Sequence, residues 1–173
     1  MKYDVYGGFE LARRNNRLGS YEKTFWTQVD EAKDGLSRAC GCYVFAMKNG
    51  SNLKPWYVGK AERQPFYKEC FSPAKRLIFN EVLIERNGTP LLFFLPRVTP
   101  KRKLCKPTVW KLADIEFLET MLIGIALEQN ADLANIQKTK MLREMCVPGV
   151  INSPQAAPTL PVRDLRNALG LSV

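Results

Sequence analysis

The stretch that decides the fold covers residues 41–60 and reads GCYVFAMKNGSNLKPWYVGK. Its first part alternates, so that Tyr43, Phe45 and Met47 face one side of a predicted strand and the residues between them face the other. The cluster NGSN at 49–52 predicts a turn, and PWYVGK predicts a second strand. The two strands therefore form a predicted β-hairpin, which brings the tyrosines of GCY and YVG to neighbouring strands.

Three further elements follow the hairpin. Ser72 and Pro73 are a typical helix start and lead into an apolar, periodic stretch that ends near Arg86. The run PLLFFL at 90–95 predicts a third strand, because proline brackets it at both ends. Residues 111–130 contain the longest helical period in the chain. This series of a hairpin, a helix, a strand and a helix indicates a mixed domain of class α+β.

Glu119 stands out in the last of these helices. It lies four residues after Ile115 and three before Leu122, so its neighbours on the helix are largely apolar. A carboxylate among apolar neighbours is costly unless a bound cation or an arginine compensates its charge. The pattern leaves two readings open, a metal ligand and a helix-flank carboxylate paired with Lys or Arg.

The ends of the chain are expected to extend this core. Residues 1–40 space apolar and charged positions as in a helix, which predicts an N-terminal helical extension. After the core at 41–136, residues 137–173 contain a Pro-Gly turn at 148–149, a proline-rich linker at 153–161 and a short amphipathic helix near 162–169. We expect this C-terminal extension to pack on the core, giving a single domain over 1–173.

The charge of the chain favours a polyanionic partner. Lys and Arg number 26 against 17 Asp and Glu, which gives a formal charge of +9. Nucleic acid is the first candidate, and a basic surface that serves solubility or binds an acidic protein is the alternative. The densest basic stretch, RVTPKRKLCK at 97–106, is either a solvated loop or a phosphate contact.

Several functions are excluded by what the chain lacks. Without histidine it has no Ser-His or Cys-His pair, no two-histidine metal site and no histidine base. Its five cysteines form neither CxxC pairs nor a zinc pattern, so reduced thiols are expected. No apolar run is long enough for a membrane span and no signal-peptide core is present, so we expect a cytoplasmic protein without a membrane partner.

The order of these motifs resembles the GIY-YIG endonuclease family. Gly-x-Tyr on one strand, Tyr-Val-Gly on the next, a helix with arginine, a third strand and a helix with glutamate match that family from Gly41 to about Asn135. The chain departs from the pattern at Cys42, where Ile or Val is usual, and in a longer segment at 60–72. Asn80 stands where some members have histidine.

The resemblance implies a small domain in which a three-stranded antiparallel sheet is flanked by helices, and the series of elements above fits it. The resemblance also implies a site. Its catalytic residues would be Tyr43, Tyr57, Arg76 and Glu119, with Glu119 holding the metal; because of the long segment at 60–72, Arg63 is an alternative to Arg76. Supporting residues would be Gly41, Gly59, Lys60, Asn80 and Asn135. Phosphate contacts are expected from Lys60, Arg63, Lys75, Arg97, Lys101, Arg102 and Lys103.

These residue types suit phosphodiester hydrolysis, which requires a proton acceptor for the attacking water and positive charge at the phosphate. By analogy with the family, Tyr43 would accept the proton, and Glu119 would bind Mg²⁺ or Mn²⁺. The sequence therefore predicts a metal-dependent endonuclease, with DNA favoured over RNA. One such site cuts one strand, so cutting both strands needs a homodimer or repeated encounters. A nucleic-acid-binding module without cleavage and a basic protein-interaction domain stay open as alternatives.

Overall fold

The computed structural model of the protein describes residues 1–19, 22–136, 138–150 and 159–171. Contacts divide the chain into two compact units, Met1–Asn135 and Ile136–Val173. The strands are β1 (Lys2–Tyr3), β2 (Tyr6–Glu10), β3 (Arg13–Arg14), β4 (Arg17–Leu18), β5 (Gly41–Asn49), β6 (Asn52–Ala61) and β7 (Thr89–Val98). The helices are α1 (Glu22–Ala32), α2 (Phe66–Glu69), α3 (Pro73–Glu85), α4 (Ala113–Gln129), α5 (Thr139–Glu144) and α6 (Leu160–Ala168), and a short 3₁₀ turn covers Leu36–Arg38.

The predicted hairpin is confirmed. Strands β5 and β6 pair antiparallel, with Tyr43 opposite Gly59 and Phe45 opposite Tyr57. The register shifts between Phe45 and Ala46, and the turn falls at Gly50 as the NGSN cluster predicts. Strand β7 pairs with the other edge of β5, which makes β5 the central strand and explains why both of its faces are buried.

The sheet is larger than the sequence predicts. The fold is α+β with an antiparallel sheet and flanking helices, as expected, but the main sheet has five strands instead of three. The two additional strands come from the N-terminus, where β1 and β2 pair with successive parts of β7. Together they cover the edge of β7 that would otherwise present unpaired N–H and C=O groups.

The expectation of helical packing for residues 1–40 is wrong for most of this segment. Of the residues described in this segment, 1–19 and 22–40, only those of α1 and of the 3₁₀ turn at Leu36–Arg38 are helical, whereas β1 to β4 occupy positions between 2 and 18. Neither the helical nor the strand period is clear in this segment, because β2 contains a register shift between Gly7 and Phe9 that breaks the alternation of a regular strand. Phe9 packs against Phe25 of α1 and Phe94 of β7.

Both faces of the sheet carry a hydrophobic cluster. On one face, Tyr43 and Phe45 pack with residues of α1, α2 and α3. On the other face, Cys42 packs with Ile115 of α4. Helix α3 runs from Pro73 to Glu85 and α4 from Ala113 to Gln129, close to the predicted bounds. The core thus forms three layers, with the sheet in the middle.

The second unit is small. It contains α5 and α6, and a guanidinium nitrogen of Arg166 donates to the carbonyl of Gly149 at 3.2 Å. The turn at 148–149 and the helix at the end agree with the sequence, but positions 151–158, which include most of the predicted linker, lie outside the described residues. The predicted packing of residues 137–173 on the core stays a prediction. Among the described residues, no helix combines the length and apolar character that a membrane span needs.

Phe79 offers a test of the packing on the tyrosine face. Its ring stacks on Phe45 at a centroid distance of 4.4 Å and is fully buried. We expect Phe79→Ala to lower the free energy of unfolding by about 3–5 kcal/mol, because it leaves a cavity in the core. Leu77→Ala, at an exposed position of the same helix, should change it by less than about 0.5 kcal/mol. Urea denaturation followed by circular dichroism measures both, and equal effects would contradict the packing described.

Candidate active site

The site begins with the contact between Tyr43 and Gly59. A Cβ atom at Gly59 would overlap the phenol hydroxyl of Tyr43 and lie 2.8 Å from its Cε1. The ring of Tyr43 is fully buried, and among the described residues its hydroxyl has no hydrogen-bond partner. Burial raises the pKa of Tyr43 well above its ordinary value, and the neighbouring acidic groups raise it further. Glycine at 59 is therefore a requirement of this packing.

Gly41 has a comparable requirement at the start of β5. Its φ of +153° is rare for residues with a side chain, and a Cβ there would overlap the carbonyl oxygen of Leu95 and lie 2.8 Å from Cα of Pro96. Strands β5 and β7 can approach this closely only because position 41 has no side chain. Gly41 thus allows close contact between two strands, and Gly59 allows the Tyr43 ring to lie against the backbone of β6.

Tyr57 lies beside Tyr43 and is paired with a lysine. Nζ of Lys75, on α3, donates to the Tyr57 hydroxyl at 2.5 Å and lies 4.9 Å from the ring centroid. The two tyrosine rings are 6.2 Å apart. Burial raises the pKa of Tyr57, and Lys75 opposes this rise through its hydrogen bond and its charge. Of the two tyrosines, Tyr57 is therefore the one whose phenolate has a stabilising partner.

Glu119 approaches the same place from the other side of the sheet. Its carboxylate is 3.9 Å from Nζ of Lys60, on β6. Beyond the dominant effect of burial, the negative charge of Glu119 raises the pKa of both Tyr43 and Tyr57. The carboxylate therefore lies within electrostatic reach of both phenols. Tyr43, Tyr57 and Gly59 lie together on one face of β6, and Glu119 pairs with Lys60 on the other.

Lys60 is surrounded by acidic groups. Its Nζ is 3.4 Å from Glu62 and 3.8 Å from Glu116, in addition to Glu119. Glu62 also accepts a short hydrogen bond from the backbone N–H of Leu112, which precedes α4. This bond ties the start of α4 to the end of β6 and so fixes the helix that carries Glu119.

Glu69 and the contact of Lys75 with Tyr57 are features of the site that the sequence did not reveal. Burial raises the pKa of Glu69, the charge of Lys75 lowers it, and the charge of Glu119 raises it. Glu69 is thus an acidic neighbour of the phenols that no motif contains. Lys75 lies four residues before Phe79 on α3, and Phe79 packs against Tyr57 at 5.8 Å, so the structure places Lys75 on the side of the helix that faces Tyr57.

Arg76 and Asn80 lie elsewhere. They share a face of α3, as their spacing predicts, but Arg76 pairs with Glu22 of α1. The side-chain oxygen of Asn80 accepts a hydrogen bond from the backbone N–H of Leu18 at 2.9 Å. Both residues therefore face the N-terminal segment, and the described contacts place neither at the tyrosines. The side chains of Arg76 and its neighbour Lys75 point in different directions, because successive helix positions are about 100° apart.

Asn135 supports β6 at the centre of the second motif. Its side-chain oxygen accepts from the backbone N–H of Val58 at 2.9 Å, and its amide nitrogen donates to the carbonyl of Val58 at 2.7 Å. The backbone N–H of Ala134 donates to the carbonyl of Trp56. Since β6 is an edge strand of the sheet, these bonds cover part of its open edge.

The predicted phosphate-binding residues differ in their surroundings. Arg97 is 2.6 Å from Asp114, and Arg102 is 2.6 Å from Asp4. Lys101 and Lys103 are exposed in the turn that follows β7, and Arg63 is exposed after β6. Because Gly41 pairs with both Ala61 and Pro96, the segments after β6 and after β7 begin at the same end of the sheet.

The donor set restricts the kind of metal that would fit. Among the described residues, no group of three or more His, Cys, Asp or Glu side chains is arranged to hold an ion. Glu119 supplies one carboxylate, which pairs with Lys60 and raises the pKa of the buried Tyr43 hydroxyl through its charge. This set fits an ion such as Mg²⁺ that keeps several waters and takes further oxygen ligands from a phosphate. It does not fit a closed site made of protein ligands alone.

Comparison with known proteins identified no relative. The chain matches no protein-family model, no curated protein and no solved structure. The resemblance to GIY-YIG nucleases therefore depends on the motif residues and on their arrangement.

The contact between Gly59 and Tyr43 can be tested by a double-mutant cycle. We expect Gly59→Ala to destabilise the wild-type protein by about 1–3 kcal/mol, because the added methyl group overlaps the phenol. In a Tyr43→Leu background, which removes that hydroxyl, the same change should cost at least about 1 kcal/mol less. Equal costs in both backgrounds, measured by urea denaturation, would show that the two residues do not touch.

Proposed function

We propose that the protein is a metal-dependent endonuclease that hydrolyses phosphodiester bonds, with DNA as the preferred substrate. Two neighbouring contacts carry this proposal: Lys75 pairs with Tyr57, which lies beside the Tyr43 ring over Gly59, and Glu119 pairs with Lys60, the residue after Gly59. A phenol with a cationic partner next to a carboxylate suits the deprotonation of water beside a phosphate. The resemblance to GIY-YIG nucleases supports the same function.

In this proposal Tyr57 accepts the proton from the attacking water. The sequence favours Tyr43 for this role, but Tyr43 is fully buried and has no cationic partner among the described residues. Tyr57 has Lys75 at 2.5 Å, and a positive charge next to a phenol favours its phenolate. Tyr43 then fills the space over Gly59 and helps to set the position of Tyr57.

Glu119 would hold a Mg²⁺ ion, which supplies positive charge for the phosphate and for the leaving oxygen. Lys60 sits between Glu119, Glu116 and Glu62, and it would contact the phosphate from the same side. Lys101, Lys103 and Arg63 are exposed and would contact the backbone of the nucleic acid outside the site. A phosphate-binding role for Arg97 or Arg102 would require each to share its guanidinium with the acid that it already contacts.

Cleavage of supercoiled plasmid in the presence of Mg²⁺ tests the function. We expect nicked plasmid with Mg²⁺ and none with excess EDTA, and the rate should fall at least about 100-fold in Glu119→Gln and in Tyr57→Phe. Glu81→Gln and Tyr67→Phe make the same chemical changes at exposed positions and should keep the wild-type rate.

The outcomes separate the candidate functions. Salt-sensitive DNA binding without cleavage would favour a binding module, and no DNA binding at all would favour a protein-interaction domain. Loss of cleavage in Tyr43→Phe with a normal rate in Tyr57→Phe would return the proton-acceptor role to Tyr43. Parallel assays with single-stranded DNA and with RNA determine the substrate class.

The pH dependence of cleavage tests the role of Lys75. Lys75→Met removes the charge that favours the Tyr57 phenolate, so the pKa of Tyr57 should rise. The cleavage rate at a given pH should then fall by about tenfold for each unit of that rise, and raising the pH should restore part of it. Lys75→Arg should keep most of the activity.

Arg76→Met is the matched control, because it is the same change one position further along α3. It breaks the pair with Glu22, so we expect some loss of stability but the same pH profile as the wild type. A pH profile shifted by Arg76→Met and unchanged by Lys75→Met would make Arg76 the cation of the site, as the sequence predicts.

A further inference from the structure

Helix α4 is apolar on two sides. Ile115, Ile123 and Ala126 are buried against the sheet, yet the exposed positions of the same helix are also apolar at steps of four residues. A helix that is apolar on both sides is ordinarily covered on both. We call these exposed positions the α4 stripe: Ala113, Phe117, Met121 and Ile125. Its three large side chains are 67 %, 49 % and 57 % exposed.

The apolar surface continues in the segment that leads into the helix. Val109 and Trp110 are 80 % and 78 % exposed. Together with the α4 stripe they expose on the order of 700 Å² per chain, near the ~800 Å² that each partner of a typical stable interface buries. Patches of this size on a single chain mark interaction sites.

The α4 stripe is complementary to itself. If two copies of α4 pair antiparallel about a two-fold axis at position 119, Phe117 of each copy faces Met121 of the other. Ala113 then faces Ile125, so a small side chain meets a large one.

The charges at the ends of the helix agree with the same register. Lys111, which is 66 % exposed and 3.2 Å from Glu116 of its own chain, would also lie next to the exposed Glu128 of the second copy. An antiparallel pair makes this contact twice, once at each end, and opposite charges at both ends favour this register over a shifted one.

We infer that the α4 stripe is the docking surface for a second copy of this chain, and that two copies form a two-fold dimer through antiparallel α4 helices. This interface does not depend on the proposed nuclease activity and can be tested without it. Because Glu119 lies on the same helix, the pairing holds the two candidate sites at a fixed separation. A nuclease with one site per chain would then carry two sites per particle.

Sedimentation velocity and light scattering on the full chain test the interface. At tens of micromolar we expect the mass of a dimer for the wild type and of a monomer for Phe117→Lys, whose dissociation constant should rise at least about 100-fold. Leu77→Lys is the matched control, since Leu77 is 65 % exposed on α3, and it should remain dimeric. A monomeric wild type at about 100 µM, or a dimeric Phe117→Lys, would overturn the inference.

A charge exchange tests the register without touching apolar residues. Lys111→Glu and Glu128→Lys each place like charges together and should raise the dissociation constant several-fold. The double variant Lys111→Glu/Glu128→Lys restores opposite charges and should recover the wild-type constant. Additive weakening in the double variant would contradict the antiparallel pairing. Both positions are exposed, but Lys111→Glu also places a like charge next to Glu116 of the same chain, so circular dichroism checks that each variant is folded.

Discussion

The packing of the Tyr43 phenol over Gly59 is the contact on which the rest of the site depends. Alternate residues of β6 face opposite sides of the sheet, so Tyr57 and Gly59 face Tyr43 whereas Lys60 faces α4. Because Gly59 has no side chain, the ring of Tyr43 lies directly against the backbone of β6. It is therefore close to the face of the sheet that α4 covers. This explains how Glu119, on a helix that packs against one face, influences the pKa of tyrosines that pack on the other.

The electrostatic balance of the site differs from that of the whole chain. The protein has a formal charge of +9, but the described acids around the phenols and Lys60 are Glu62, Glu69, Glu116 and Glu119, against the described lysines Lys60, Lys75 and Lys111. A polyanion that the basic surface attracts would meet a locally acidic site. A divalent cation reconciles these two facts, since it compensates the carboxylates and a phosphate together. This is the physical reason to expect dependence on a metal.

Regular periodicity made most of the central fold predictable. The β5–β6 hairpin, β7, α3 and α4 all follow from clear alternation or helical spacing with turn residues at their ends. The N-terminal strands were missed because β2 contains an irregular register and pairs with a strand more than 80 positions away. The sequence grouped the tyrosines, Gly59, Lys60 and Glu119, and the structure places each of them on β6 or against a residue of β6. The sequence named Arg76, with Arg63 as the alternative, as the cation of the site and gave Lys75 only as a phosphate contact, because the packing of Phe79 on Tyr57 decides which side of α3 faces β6.

Asn135 shows how a residue can support a site without reaching its chemistry. A side-chain amide has one acceptor and one donor group, and here it pairs with both backbone groups of Val58 as a neighbouring strand would. Val58 lies between Tyr57 and Gly59. The amide of Asn135 therefore fixes the backbone of β6 at the place where Tyr57, Gly59 and Lys60 follow one another. A carboxylate, which has no N–H donor, or a longer amide could not make both bonds with the same geometry. The asparagine of the sequence pattern is therefore explained by the open edge of β6, independently of what the site binds.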